Sequence, residues 1–197
     1  MKKMYPIKTQ WPRLSDILPM DDLRSWMNQA YVTREHVFAA NSHYMVMHKT
    51  HSLLPEELIA KIGDKIILFD KWTLQELQRP NIELMDIDME TKQIHINFGV
   101  DKKNVYYPFA KPGFGNQSEE KLKMFHNLFD TRLKKQTLHI DSIGLNPMYL
   151  EKVTRALDVH SRVINCFFDG QTGQILVYAS GSTIHDGVGI LMPAQII

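Results

Sequence analysis

The chain has 197 residues, of which 44% are hydrophobic and 23% are charged, a composition typical of a globular protein with one domain or two small ones. Its formal net charge of +1 excludes a global charge bias towards nucleic acid or membranes, so a basic surface would have to come from how the 23 Lys and Arg residues are distributed. One cysteine excludes an intrachain disulfide, and without a long apolar run we expect a cytoplasmic protein.

The first 110 residues predict short strands interrupted by short helices. Residues 1–19 contain three prolines and little periodicity, so we expect a short strand or an arm there. Asp21 and Asp22 favour the start of a helix, and its apolar stripe would be Leu23, Trp26, Met27, Ala30 and Tyr31. Asp70 lies where the N-cap of another helix belongs. The other predicted elements are, in chain order, a hairpin over 36–47, an undecided segment over 53–61, a strand over 65–69, a helix over 71–78, a hairpin over 82–98 and a strand over 104–108.

The best predicted domain boundary is the segment 111–117, which has one proline and two glycines in seven residues. It divides the chain into a first domain, 1–110, and a shortened second domain, 118–197. Asn146 followed by Pro147 predicts a helix start, since proline suits the first position of a helix. The predicted elements of the second domain are a long helix over 118–135, a strand over 137–142, a helix over 146–157 and strands over 162–168, 174–179 and 188–192.

A seven-residue pattern, D-x-x-T-x-Q-I, begins at Asp88 and again at Asp169. In each copy a short capped helix and an apolar strand precede the pattern, an alternating strand follows it, and the last strand ends in a proline, Pro108 or Pro193. The same element order around both copies predicts a duplicated unit of roughly 80–100 residues. Each unit would pack two helices on one face of an antiparallel sheet, so the predicted fold class is α+β, with two similar domains.

Four short segments carry a resemblance to a known family. They are 40–45 (Ala-Asn-Ser-His-Tyr-Met), 107–109 (Tyr-Pro-Phe), 143–157 (opening Ile-Gly-Leu-Asn-Pro) and 190–194 (Ile-Leu-Met-Pro-Ala). They resemble, in that order, the Thr-Asp-Gly-His-Arg-Leu, Phe-Pro-Asp-Tyr, Gly-Phe-Asn and Val-Met-Pro-Met-Arg-Leu segments of the DNA sliding clamps, specifically the bacterial DNA polymerase III beta-subunit family. Their order and spacing fit the last two domains of a clamp.

The resemblance implies a topological role, with no catalytic residue, cofactor or metal. A clamp around duplex DNA needs positive side chains directed at phosphates and no base reading. An apolar pocket between its domains would hold short peptides of a DNA polymerase and of the clamp loader. The DNA-binding candidates are Arg24, Lys71, Lys121, Lys123, Arg132, Lys134, Lys135, Lys152 and Arg155, with those on the 118–135 helix preferred. The pocket candidates are His43, Met45, Pro108, Phe109, Ile190 and Met192.

Two domains instead of the three in a bacterial clamp subunit resemble phage and eukaryotic-type clamps, which close as trimers. A phage-type homo-oligomer, with three chains preferred, is therefore expected. The second interpretation is a clamp-like regulatory module that binds peptides without encircling DNA, and the third is a small enzyme whose site is built from distant residues. His43, His48 and His51 lie close in sequence, but no Cys or carboxylate cluster joins them, so no metal site is predicted.

Overall fold

The computed structural model describes residues 3–7, 10–19, 27–99, 103–111, 118–133, 145–157, 164–169, 173–179 and 187–192. In these residues the strands are β1 (Tyr5–Pro6), β2 (Gln29–Val32), β3 (His36–Ala40), β4 (Tyr44–Lys49), β5 (Ile67–Asp70), β6 (Ile82–Asp88), β7 (Gln93–Phe98), β8 (Lys103–Pro108), β9 (Ile164–Asp169), β10 (Gln174–Ala179) and β11 (Gly187–Leu191). The helices are a 3-10 helix (Leu14–Asp16), α1 (Thr50–Leu53), α2 (Glu56–Ile62), α3 (Lys71–Leu77), α4 (Ser118–Leu133) and α5 (Pro147–Leu157).

Most predicted elements are confirmed where the structure describes them. Asp70 caps α3 as expected, because its Oδ1 accepts a hydrogen bond from the backbone N–H of Thr73 at 2.8 Å. The Asn146 side chain accepts one from Met148 at 3.0 Å at the start of α5. The undecided segment 53–61 is mostly helical, within α1 and α2. The helix expected from Asp21 is wrong at its end, because Ala30 and Tyr31 lie in β2 and pair with β5. Residues 21–26 of that helix, residues 112–117 of the predicted boundary and the strand over 137–142 lie outside the described residues.

The described strands form two antiparallel sheets. One has four strands, in the order β1-β6-β7-β8, and the other has seven, in the order β5-β2-β3-β4-β11-β10-β9. β4 and β11 join distant parts of the chain through five residue pairs, among them Met45 with Ile190. Helices pack against these sheets, so the predicted α+β class is confirmed. The division into domains at 111–117 stays a prediction.

Three meanders of three strands each repeat along the chain. Unit 1 comprises β1, the 3-10 helix and the meander β2-β3-β4; unit 2 comprises β5, α3 and β6-β7-β8; unit 3 comprises α5 and β9-β10-β11. β1 of unit 1 pairs with β6 of unit 2, whereas β5 of unit 2 pairs with β2 of unit 1. Units 1 and 2 therefore exchange their first strands. This repeat is smaller than the duplicated domain that the sequence predicts, and the described residues contain three copies of its meander.

The two D-x-x-T-x-Q-I segments form hairpins with the same register. The first residue of the pattern pairs with its glutamine in both copies, Asp88 with Gln93 and Asp169 with Gln174. The residue before the glutamine is left-handed in both, with a φ of 54° at Lys92 and 66° at Gly173. The shared register and conformation show that the repeated sequence pattern reflects a repeated structure.

An apolar core lies on each face of the seven-stranded sheet, because successive strand side chains point to opposite faces. On one face, Val37 and Ala39 belong to the main core, which also contains Leu157 of α5. On the other face, Phe38 stacks on Phe125 of α4, with ring centroids 5.6 Å apart and an interplanar angle of 19°. α4 and α5 therefore lie on opposite faces of the sheet.

The N-terminal segment contains the short strand that was one of its two predicted forms, β1, and the rest of its described part belongs to the main core instead of forming an arm. Trp11, Leu14 and Ile17 are fully buried, and the 3-10 helix packs against both α3 and α5. The spacing of these three residues suits the three residues per turn of a 3-10 helix. So short a run of apolar residues does not stand out as periodic in the sequence, which explains why the prediction was incomplete.

Candidate functional site

Basic residues gather on the face of the seven-stranded sheet that carries α5. Lys71, the first residue of α3, is half-buried, and its Nζ donates a hydrogen bond to the carbonyl oxygen of Leu18 at 2.9 Å. Burial lowers the pKa of Lys71; Asp16 opposes this with a smaller effect, and Lys152 of α5 adds a smaller lowering effect. Because α3 and α5 both pack against the 3-10 helix, Lys71 and Lys152 lie in one region of the surface.

Two arginines extend this basic region along α5. The Arg155 guanidinium forms an exposed ion pair with Glu151, one turn earlier, at 3.3 Å. The backbone N–H of Arg13 donates to the carbonyl oxygen of Arg155 at 3.3 Å, which places the exposed Arg13 beside the end of α5. We call Arg13, Lys71, Lys152 and Arg155 the α3–α5 basic surface. Arg13 was not among the predicted DNA-binding residues, because it lies in a proline-rich segment without a periodic pattern.

The basic residues of α4 lie on the opposite side of the sheet. Phe125, only 1% exposed, anchors α4 against the rings of Tyr31 and Phe38. Lys121 is half-buried and Lys123 is exposed on this helix. Because the sheet separates α4 from α5, a straight duplex cannot contact both sets of lysines on one chain. Arg24, Lys134, Lys135 and the side chain of Arg132 lie outside the described residues.

A cavity of about 410 Å³ lies between α4, the end of α2 and the turn from β2 to β3. Its charged lining residues are Arg34, Lys65 and Lys123 and, with opposite sign, Glu35, Asp64 and Glu119. Three carboxylates beside three cations leave little net charge to attract a phosphate backbone. The α4 side is therefore the weaker candidate for contact with nucleic acid.

Four of the six predicted pocket residues come together where β4 meets β11. Met45 lies opposite Ile190, and the backbone N–H of Met192 donates to the carbonyl oxygen of His43 at 2.9 Å. The His43 ring stacks on Tyr149 of α5, with centroids 5.0 Å apart and an interplanar angle of 20°. Ile190 is buried, whereas Met192 is 41% exposed. We call these five residues the β4–β11 site; Tyr149 is the member that the sequence analysis missed.

Known structures share this arrangement of sheets and helices. No protein-family model matches the sequence, and no curated protein does. The DNA polymerase III beta chain from Streptococcus pneumoniae TIGR4 matches with a TM-score of 0.56 and 12% identity, over 98% of this chain and 67% of that one. The DNA polymerase sliding clamps from Bacillus subtilis and Caulobacter crescentus match with TM-scores of 0.56 and 0.58, both at 13% identity. These two matches cover 100% and 93% of this chain and 67% and 62% of those chains. The chain has the sliding-clamp fold.

Four short segments predicted the sliding-clamp fold, and the structural matches confirm it, although the identity to these clamps is only 10–14%. The chain spans about two-thirds of the length of the clamps that it matches.

Two predicted pocket residues lie elsewhere in this sliding-clamp fold. The backbone N–H of Phe109, which follows Pro108, donates to the carbonyl oxygen of Lys92 at 2.8 Å, and its ring lies 6.3 Å from that of Phe69 on β5. β2 and β3 separate β5 from β4. At the usual spacing between strands this is about 14 Å. The structure thus does not bring Pro108 and Phe109 to the β4–β11 site.

The three histidines that are close in sequence have different surroundings. His43 is exposed and stacks on Tyr149, whereas His48 is buried, with its Nε2 2.7 Å from the carbonyl oxygen of Ala156. Among the described residues, no group of three side chains is arranged to hold a metal ion. No helix in the described part of the chain has the length and apolar character needed to cross a bilayer.

Proposed function

We propose that the protein is a DNA polymerase processivity factor, a homo-oligomeric clamp that surrounds duplex DNA and tethers replication proteins. The observation that carries the proposal is the α3–α5 basic surface, four cationic residues on one face of a sliding-clamp fold. Duplex DNA presents one negative charge per about 1.7 Å of its axis, so such a surface can contact phosphates without reading the sequence. This role is topological and needs no catalytic residue.

The environment of the basic residues supports contact with phosphate. Lys71 is partly desolvated and bonded to a neutral carbonyl, so its ammonium group gains more from a nearby anion than a fully hydrated lysine would. Arg155 is paired with Glu151 at an exposed position, and such pairs are weak enough to exchange for another partner. A phosphate approaching α5 can therefore recruit both cations.

The β4–β11 site is the proposed attachment point for peptides from a DNA polymerase and from a clamp loader. Met192 is exposed, and Met45, the strand partner of Ile190, is half-buried. Methionine side chains adapt to differently shaped partners, which suits a site that serves several proteins in turn. The His43 ring, beside Met192 in the strand pairing, stacks on Tyr149 of α5, whereas Met45 and Ile190 pack with the core on the α4 face.

Encirclement can be tested by changing only the topology of the DNA. The protein is incubated with a nicked circular plasmid in low salt, so that its chains can dissociate and reassociate around the DNA. The complex is then passed over a sizing column in about 0.3 M NaCl, where direct phosphate contacts are weakened. We expect the protein to stay with the circle and to be lost when a single restriction cut makes the plasmid linear. Equal retention on both forms would contradict encirclement.

The choice of surface can be tested with two double variants of equal charge change. Lys71→Glu with Lys152→Glu reverses two charges on the α3–α5 basic surface, and Lys121→Glu with Lys123→Glu reverses two on α4. We expect the first pair to reduce retention on the circle at least tenfold and the second to have little effect. Thermal melting shows whether both variants fold. If the α4 variant lost retention and the α3–α5 variant kept it, the DNA would contact the α4 side and our choice of surface would be wrong.

One observation favours the alternative function, a clamp-like module that binds peptides without encircling DNA. Both sides of β4 are occupied within its own chain, by β3 and β11. Neither strand of this junction is open to a neighbouring subunit. Under this alternative the β4–β11 site would keep its peptide-binding role, and the circular plasmid would not retain the protein.

A further inference from the structure

Trp72 is the most exposed large apolar side chain in the described part of the chain. It is 69% exposed, and it follows Lys71 directly on α3. We propose that Trp72 is a base-stacking residue, through which the α3–α5 basic surface binds DNA with unpaired bases more tightly than intact duplex. The inference rests on the proposed contact of this surface with DNA and adds the form of DNA that it prefers.

The packing of α3 turns Trp72 towards solvent. Thr73, Leu74 and Leu77 are buried and define the side of α3 that packs on the core. At about 100° per residue, position 72 lies on the other side of the helix, where Gln75 is also exposed. The indole ring is therefore accessible to a ligand, in contrast to the fully buried ring of Trp11.

The exposure of this ring needs an explanation. Tryptophan is highly buried on average, and contact between apolar surface and water is unfavourable in proportion to its area. A surface that held phosphates alone would be served as well by a small polar residue at position 72. The exposed ring therefore indicates a ligand that covers it and that has an apolar, flat face.

The charges around Trp72 favour a nucleic acid over a protein as this ligand. α3 and α5 carry one carboxylate each, and both carboxylates are in ion pairs, Glu76 with Arg79 at 2.6 Å and Glu151 with Arg155 at 3.3 Å. The cations of the α3–α5 basic surface thus dominate the surroundings of the ring. Proteins bind single strands with this combination, since the cations follow the phosphates and the ring stacks on a base.

Unpaired bases are the ones that the ring of Trp72 can cover. In an intact duplex each base is stacked between its neighbours, and side chains reach only base edges in the grooves. Insertion between stacked bases would unstack and kink the duplex. A single strand offers the faces of its bases without that cost, and such stacking tolerates any sequence. Trp72 would therefore favour the place where a duplex continues as a single strand.

The affinity for three forms of DNA tests this preference. Labelled DNA of about 30 nucleotides is prepared as a thymidine single strand, as an intact duplex, and as a half-length duplex with a single-stranded extension. Fluorescence anisotropy at low salt should show that the wild-type protein binds the first and third forms more tightly than the intact duplex. Trp72→Ala should lower the ratio of single-strand to duplex affinity by about fivefold or more, the effect of losing one stacked base. Trp72→Phe keeps a ring and should retain most of the preference.

Two control variants separate stacking from general effects. Tyr106→Ala removes a ring that is 56% exposed on β8, in the four-stranded sheet, and should leave the affinity ratio unchanged. Lys71→Glu with Lys152→Glu should weaken binding to all three forms, because phosphate contacts are common to them. Thermal melting shows whether each variant folds.

Tryptophan emission gives a second measurement on the unchanged protein. Stacking on a base quenches indole fluorescence, so the single strand should quench the wild-type protein more than Trp72→Phe. Equal affinity of the wild-type protein for single strand and duplex, or the same affinity ratio in Trp72→Ala as in the wild type, would overturn the inference. The nicked-circle experiment on the wild-type protein tests encirclement separately, so a failure of this inference is distinguishable from a failure of the proposed function.

Discussion

The Nε2 atom of His48, on β4, lies 2.7 Å from the carbonyl oxygen of Ala156, on α5, and both residues are fully buried. A carbonyl oxygen can only accept, so Nε2 carries the proton and donates. Gly187 of β11 leaves room for this ring, because a Cβ atom there would lie 2.6 Å from the His48 Cε1. The hydrogen bond ties unit 1 to unit 3 across 108 sequence positions.

Replacing His48 with alanine should weaken this tie between units. The change leaves a cavity beside Gly187 and removes the hydrogen-bond donor from the buried carbonyl of Ala156. We expect the free energy of unfolding to fall by about 2–4 kcal/mol, measured by urea denaturation with circular dichroism. His51→Ala, at an exposed position of α1, is the matched control and should change it by less than about 0.5 kcal/mol. If both variants lost similar amounts of unfolding free energy, the hydrogen bond from His48 to Ala156 would not be a specific stabilising contact between units 1 and 3.

Gly189 should tolerate no side chain while Val153 is present. A Cβ atom at Gly189 would lie 2.4 Å from the Cγ1 of Val153, so β11 and α5 would have to separate. We expect Gly189→Ala to lower the free energy of unfolding by about 1–3 kcal/mol. Val153→Ala alone costs stability by opening space, but together the two changes should cost less than their sum. A double-mutant cycle with no coupling would contradict this close approach.

Substitutions at the left-handed positions of the two hairpin turns, Lys92 and Gly173, should change the stability of the protein in opposite directions. Lys92 and Gly173 share a left-handed backbone, which glycine adopts at no steric cost and lysine adopts at about 1 kcal/mol. Gly173→Lys should therefore destabilise the protein by about that amount, whereas Lys92→Gly should be neutral or slightly stabilising. Thermal denaturation of both variants checks the prediction, and an equal loss in both would show that the turns are not equivalent.

Peptide binding at the β4–β11 site should depend on Met192 and not on Met148, although both methionines are exposed. Apolar peptides selected on the wild-type protein from a random phage-displayed library serve as the probe. Binding should fall at least tenfold in Met192→Asp and in Tyr149→Ala, because the first puts charge into the site and the second removes the ring under His43. Met148→Asp, outside the site, should bind as the wild type does. Peptides that bind all three variants equally must use another surface.

Local features of the fold could be predicted because nearby residues carry them. Asp70 and Asn146 satisfy backbone N–H groups within three residues of themselves, so their capping role is visible in sequence. The repeated hairpin was predictable for the same reason, since its register depends on the turn residues. The four clamp-like segments were informative because they combine such local features in a fixed order.

The candidate sites were only partly predictable because they depend on distant pairings. Met45 and Ile190 were predicted to share a site by resemblance, and the pairing of β4 with β11 makes them neighbours. Phe109 was predicted to belong to the same site. Its ring instead lies beside Phe69 on β5, and β2 and β3 separate β5 from β4 in the sheet. Adjacency in a sheet does not follow chain order, so sequence spacing cannot reveal it.

Sequence by itself determined most helices and strands of this protein, the helix caps and the repeated turn, because short-range hydrogen bonds and apolar periodicity encode them. It also showed the resemblance to the sliding-clamp fold. Only the tertiary structure decided which face each helix covers. Amphipathic helices α4 and α5 each need an apolar surface, and a sheet that is apolar on both faces offers two. Their packing on opposite faces separates lysines that look alike in sequence, and the pairing of β4 with β11 brings together residues from distant parts of the chain.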